Sequence, residues 1–130
     1  MTTLTINDES AIGTILNQFS MNVAHEHLTV KDLIEARVYH EVAEYNNRLP
    51  EVFNGLVQPS YAEKVLNGFK LKEKRKIDPE KQLYIALDAF QKNGYFILID
   101  NHQAEDLEEE ILVSPSTTVS FVKLTALVGG

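Results

Sequence analysis

Thr118-Val-Ser-Phe-Val-Lys-Leu-Thr-Ala-Leu-Val-Gly-Gly130 is the stretch on which the reading of this chain turns. Thr118 to Leu124 carries Val119, Phe121, Val122 and Leu124, the β-branched and apolar composition of a strand. The six residues that follow, 125–130, form a short apolar tail closed by Gly129-Gly130. Glycine lacks Cβ, so the backbone can pass close to another surface and adopt positive φ. The candidate residues at this end of the chain are Gly130 and Gly129, preceded by the apolar Val128, Leu127 and Leu124.

Upstream, Thr2 to Asn7 alternates Leu4 and Ile6 against Thr3 and Thr5, which predicts a first strand. Ile15 to Ala24, with Ile15, Phe19, Met21 and Val23 on one face, predicts a second, paired with the first as an antiparallel hairpin. Thr29 is an N-cap residue and Asp32 places an anion in the first helical turn. Val30, Leu33, Ile34, Val38, Val42 and Tyr45 then recur at three- and four-residue steps, the stripe of an amphipathic helix. Asn46-Asn47 and Pro50 should end it. Ser60-x-x-Glu63, a capping-box pattern, and Asn67-Gly68 predict a short helix between them. Asp78-Pro79 opens another, with Leu83, Ala86, Leu87 and Phe90 as its stripe and Asn93-Gly94 as its stop. Tyr95 to Ile99 is a third strand. Gln103 to Ile111 is expected to be a short helix or turn, and Thr118 to Leu124 a fourth strand.

At 130 residues, with 44% hydrophobic and 24% charged, the composition is that of one folded domain spanning 1–130. No stretch is long and apolar enough for a membrane span, and residues 1–5 lack the pattern of a secretory leader, so a cytoplasmic setting without a membrane partner is expected. The chain has no cysteine, which removes disulfides, cysteine zinc sites and a thiol nucleophile of its own. A net charge of −7 argues against nucleic acid as the main partner. Charge is nonetheless segregated. Lys70, Lys72, Lys74, Arg75 and Lys76 cluster in one short stretch, and Glu105, Asp106, Glu108, Glu109 and Glu110 in another.

Strand, strand, helix, a helical middle, strand, turn, strand and a Gly-Gly end together resemble the β-grasp fold of ubiquitin-like proteins. That superfamily holds protein modifiers and the small sulfur carriers of molybdopterin and thiamine synthesis. The resemblance rests on the Thr2–Ala24 hairpin, on Leu28-Thr-Val-Lys-Asp-Leu-Ile34 and on Thr118–Gly130. It implies an α+β domain: a mixed four-stranded sheet crossed by one main helix, with a helical insertion at about 47–94 and a tail at 125–130. The insertion has no counterpart in the family core, and the tail lacks the proline often found near the Gly-Gly of sulfur carriers. The resemblance further implies that a partner adenylating enzyme, using ATP, joins the Gly130 carboxylate to AMP. The acyl group would then pass to a conjugating enzyme or a target protein, making the chain a modifier. The alternative products are a C-terminal thiocarboxylate on a sulfur carrier, or no covalent chemistry in a non-covalent interaction domain. In each case the chain is not itself an enzyme, binds no cofactor and has no catalytic residue.

Other candidates are weaker. His25-Glu26-His27 would put two imidazoles on one face of a strand, but without a third ligand at suitable spacing no metal site is expected. There is no phosphate-binding G-x-x-x-x-G-K-[ST] loop. The strand Tyr95–Ile99 is apolar on both faces. Either inserted helices cover its second face, or Tyr95, Ile97 and Ile99 present a partner surface.

Overall fold

The computed structural model describes residues 1–65, 68–73 and 75–124. Strands β1 (Thr2–Ser10) and β2 (Ile15–Val23) form the expected antiparallel hairpin, from Thr2 opposite Val23 to Asp8 opposite Asn17. A bulge then shifts the register between Asp8 and Glu9. It turns Ile15 and Leu16 outward, at 56% and 55% exposure, so Ile15 does not share the buried face of Met21 and Val23.

Strand β3 (His27–Thr29) leads into helix α1 (Val30–Arg48). The Thr29 side chain accepts from the Asp32 N–H and the Asp32 carboxylate accepts from the Thr29 N–H, a reciprocal cap of the kind worth about 1 kcal/mol. Asn46-Asn47 does not stop the helix. Asn46 instead bonds the backbone of Ile77 in both directions, at 2.9 and 2.7 Å. Termination comes at Leu49, in the left-handed conformation at φ 46°, just before Pro50.

The middle of the chain departs most from expectation. Where the capping-box pattern predicts a helix, β4 (Ala62–Val65) and β5 (Gly68–Leu71) pair antiparallel. Phe69 and Leu71 are buried while Lys70 is exposed, a period-two pattern, and Phe69 exchanges backbone bonds with Phe53 at 2.7 and 2.9 Å. Burying these side chains outweighed a local helix-start signal. Asn67, the expected stop, lies outside the described residues. Helix α2 (Pro79–Gln91) starts as predicted, with Asp78 accepting from the Glu80 N–H. Its buried face is turned by one residue, since Gln82 is buried and donates to the Val57 carbonyl at 2.8 Å, whereas Leu83 and Leu87 are half-buried.

Strand β6 (Tyr95–Ile99) turns through Asp100, at φ 53°, into the short β7 (His102–Gln103). The acidic stretch makes a turn: Asp106 accepts from the Glu108 N–H, and Glu109 accepts from the Glu105 N–H. It ends in β8 (Glu110–Leu112), which pairs with β3. Strand β9 (Thr118–Lys123) completes a five-stranded mixed sheet in the order β2-β1-β9-β6-β7, one strand more than expected. β9 lies between β1, to which it is parallel, and β6, to which it is antiparallel. The fold is thus α+β, a mixed sheet with two helices.

Leu4, Ile6, Met21, Ile97, Val119 and Phe121 form the covered face of the sheet and pack with Leu33, Ile34 and Val38 of α1 and Ala86 and Phe90 of α2. Tyr95, Ile97 and Ile99 belong to this core, at 3, 0 and 8% exposure. The Tyr95 hydroxyl donates to the Ala86 carbonyl at 2.7 Å, and its ring lies between Phe90 and Phe121. Buried in this core, the three residues present no exposed partner surface. Phe96 and Leu98, half-buried, occupy the opposite face of the strand.

Candidate functional site

Of the candidates at the C-terminus, Leu124 alone is described, directly after β9. Gly130, Gly129, Val128 and Leu127 lie outside the described residues. Leu124 is half-buried at the bend that follows β9. The residues that hold this end in place were not singled out by the sequence.

They form a buried ionic cluster. Arg37 of α1 is fully buried and grips Asp8 of β1 with both terminal nitrogens, Nη1 on Oδ1 and Nη2 on Oδ2, the latter at 2.8 Å. Its Nε donates to Glu41 Oε2 one turn along the helix at 3.1 Å. The other Glu41 oxygen accepts from the Leu56 backbone N–H at 3.1 Å. Lys123, the last residue of β9, donates through Nζ to the Gly55 carbonyl at 2.9 Å and lies 3.8 Å from Asp8 Oδ2. Phe121 and Phe19 flank the guanidinium, with ring centroids 4.6 and 5.3 Å from its carbon. Two cations thus face two anions, and among the described residues no buried side-chain nitrogen or oxygen lacks a partner.

Every charged member stands at a position where the local period calls for an apolar residue. Asp8 continues the inward series Leu4, Ile6. Lys123 continues Val119, Phe121. Arg37 and Glu41 fill the α1 stripe between Ile34 and Val42. Read as interruptions of three apolar series, these four charges were the available signal. Sequence separation hid that they meet.

Electrostatics follow from the burial. Burial alone would lower the Arg37 pKa, but the Glu41 and Asp8 carboxylates outweigh it and raise it, so Arg37 is always charged. Burial pushes the Glu41 carboxyl up, against Arg37 and the Leu56 N–H. Burial also pushes the Lys123 ammonium down, opposed by Asp8. Its side chain is still 24% exposed, so water screens part of the effect. With its hydrogen bonds complete, the cluster is a clamp rather than a reactive centre. It ties β1, α1 and the Leu56 loop to the final residue of β9.

The clamp leaves little room for change. A Cβ on Gly55 would come 2.0 Å from the Phe53 ring, so only glycine lets the 55 carbonyl reach Lys123 in this geometry. Beside the cluster opens a groove of about 360 Å3 with Phe19, His40, Glu41, Tyr45 and Phe53 on its walls, and His40 stacks on Phe19 at 5.5 Å. The histidine candidates lie elsewhere. His25 and His27 are exposed, with His27 Nε2 3.4 Å from Glu110, and His102 pairs with Glu109. Among the described residues no three ligating side chains gather as a metal site. Among the described residues no helix is long and apolar enough to cross a membrane. No protein-family model, curated protein or solved structure matches this chain.

Proposed function

We propose that this chain is a ubiquitin-like modifier of the β-grasp type, adenylated at the Gly130 carboxylate by a partner enzyme and then conjugated to a target. The observation that carries the reading is the placement of β9. It lies inside the sheet, parallel to β1, and its last residue is clamped by the Lys123–Asp8–Arg37–Glu41 cluster. The resemblance rests on a hairpin, a main helix and a final strand running into Gly-Gly, and the position of that strand beside β1 and parallel to it supports the reading.

The chemistry needs little from the chain beyond presentation. The Gly130 carboxylate oxygen attacks the α-phosphorus of ATP and pyrophosphate leaves. A thiol or amine then attacks the acyl carbon and AMP leaves. The clamp fixes where the tail begins, and the glycines let the carboxylate enter a confined cleft.

The test is pyrophosphate exchange into ATP by an adenylating enzyme from the same cells, using chains ending at Gly130 and at Gly129. Exchange that requires Gly130 is expected. Equal exchange with the shortened chain would overturn the reading.

A further inference from the structure

The hairpin β4–β5 and the segment leading to α2 carry a second surface, unrelated to the tail. Between residues 64 and 81 stand seven of the chain's twelve basic residues, against three acidic ones, Glu73, Asp78 and Glu80, in a molecule of net charge −7. There, Arg75, Lys76 and Lys81 line a groove of about 450 Å3 whose apolar wall is Leu71, Ile77 and Ile85. Tyr61 closes one side. Its ring is 70% exposed, with the Arg75 guanidinium 4.6 Å from its centroid.

Tyr61 is also strained. It holds φ at 61°, a region that bulky residues rarely adopt. Its carbonyl accepts from the Lys72 N–H at 3.1 Å, which ties the strained turn to the far end of β5. Neither the strain nor the exposed ring contributes to the core. A tyrosine kept in such a backbone, facing solvent and overlaid by an arginine, is a preorganised aromatic and cationic contact.

We propose that this groove is a docking site for an acidic peptide segment of another protein, one carrying an aromatic or aliphatic residue among its carboxylates. The carboxylates pair with Arg75, Lys76 and Lys81, and the apolar residue packs on Ile85 and the Tyr61 ring. A nucleic acid fits less well. Glu73, Asp78 and Glu80 interrupt the basic surface that a long, evenly charged polyanion would have to follow, whereas a short acidic segment need meet only Arg75, Lys76 and Lys81. The proposal is independent of what happens at Gly130.

The probe is a fluorescein-labelled synthetic peptide of alternating aspartate and glutamate with one central phenylalanine, titrated with the full chain by fluorescence anisotropy. Saturable binding that weakens with salt is expected, with affinity falling at least about tenfold in Arg75→Glu/Lys81→Glu, two exposed positions. Tyr61→Gly should relieve the backbone, raising Tm, and still bind more weakly. Absence of saturable binding at low salt, or binding unchanged in both variants, would overturn the proposal. Tighter binding of a single-stranded oligonucleotide of equal charge would replace it with a nucleic-acid site. Oligomers that dissolve in the double variant would replace it with self-association through the acidic 105–110 turn.

Discussion

Arg37 occupies a place on α1 where the spacing of Ile34, Val38 and Val42 calls for a hydrocarbon, and its cost is met by Asp8 and Glu41 together. Removing one member leaves the others buried and unpaired, which is dearer than never having had the cluster. Arg37→Met should therefore destabilise the fold by about 3–5 kcal/mol in urea unfolding, whereas replacing Arg37, Asp8 and Glu41 together by apolar residues should cost much less. Gly55→Ala is expected to cost about 1–3 kcal/mol, because the added methyl forces the Phe53 ring aside; the same unfolding experiment reads it. Tyr95 supplies the pH dependence. Burial raises its phenol pKa above the ordinary value, with Arg37 opposing and Glu41 adding to the rise. The folded state thus holds the proton more tightly than the unfolded chain. The resulting stability is fully present below the unfolded pKa of about 10 and is lost as pH rises through and beyond it. Tyr95→Phe should be slightly less stable at neutral pH, lacking the bond to Ala86, but should lose less stability above that point; melting curves across the alkaline range decide it.

Among the elements, β9 is supported from both sides of the sheet. β9 is held by β1, β6 and the Lys123 clamp, all within residues 1–123. Deleting residues 125–130 should leave Tm unchanged within about a degree while abolishing adenylation, which differential scanning fluorimetry and the exchange assay measure side by side. The elements the sequence disclosed were those with strong local signals: the β1–β2 hairpin, the Thr29 and Asp78 caps, β6 and β9. Those it concealed depend on distant partners. The β4–β5 hairpin exists because Phe69 and Leu71 find the core, although Ser60-x-x-Glu63 suggests a helix. β3 and β8 are three residues each and have meaning only as a pair. The clamp escaped for the same reason. Asp8, Arg37, Glu41 and Lys123 each break an apolar series, but nothing local shows that four breaks meet at one point. A strand apolar on both faces leaves open which face is covered; Tyr95, Ile97 and Ile99 face the core and Phe96 and Leu98 the other side, an assignment that depends on distant partners.

For the whole molecule, the surface divides by charge. The β4–β5 hairpin and its continuation are basic, and the 105–110 turn is acidic, with His102 joined to Glu109 at 2.5 Å. Such segregation acts mainly on encounter rates and orientation, so partner association should slow as salt rises, while the unfolding midpoint, set by the buried core and clamp, should change little. The proposed reactive group is the carboxylate of Gly130. Mass spectrometry of the N-terminally tagged chain, recovered from its native cells under denaturing conditions, tests this most directly. Peptides in which Gly130 is joined through an amide to a target amine are expected, and they should disappear when Gly130 is deleted. A thiocarboxylate in their place would assign the same carboxylate to sulfur transfer. A Gly130 found only as a free carboxylate, with undiminished function after its deletion, would rule out conjugation through this residue.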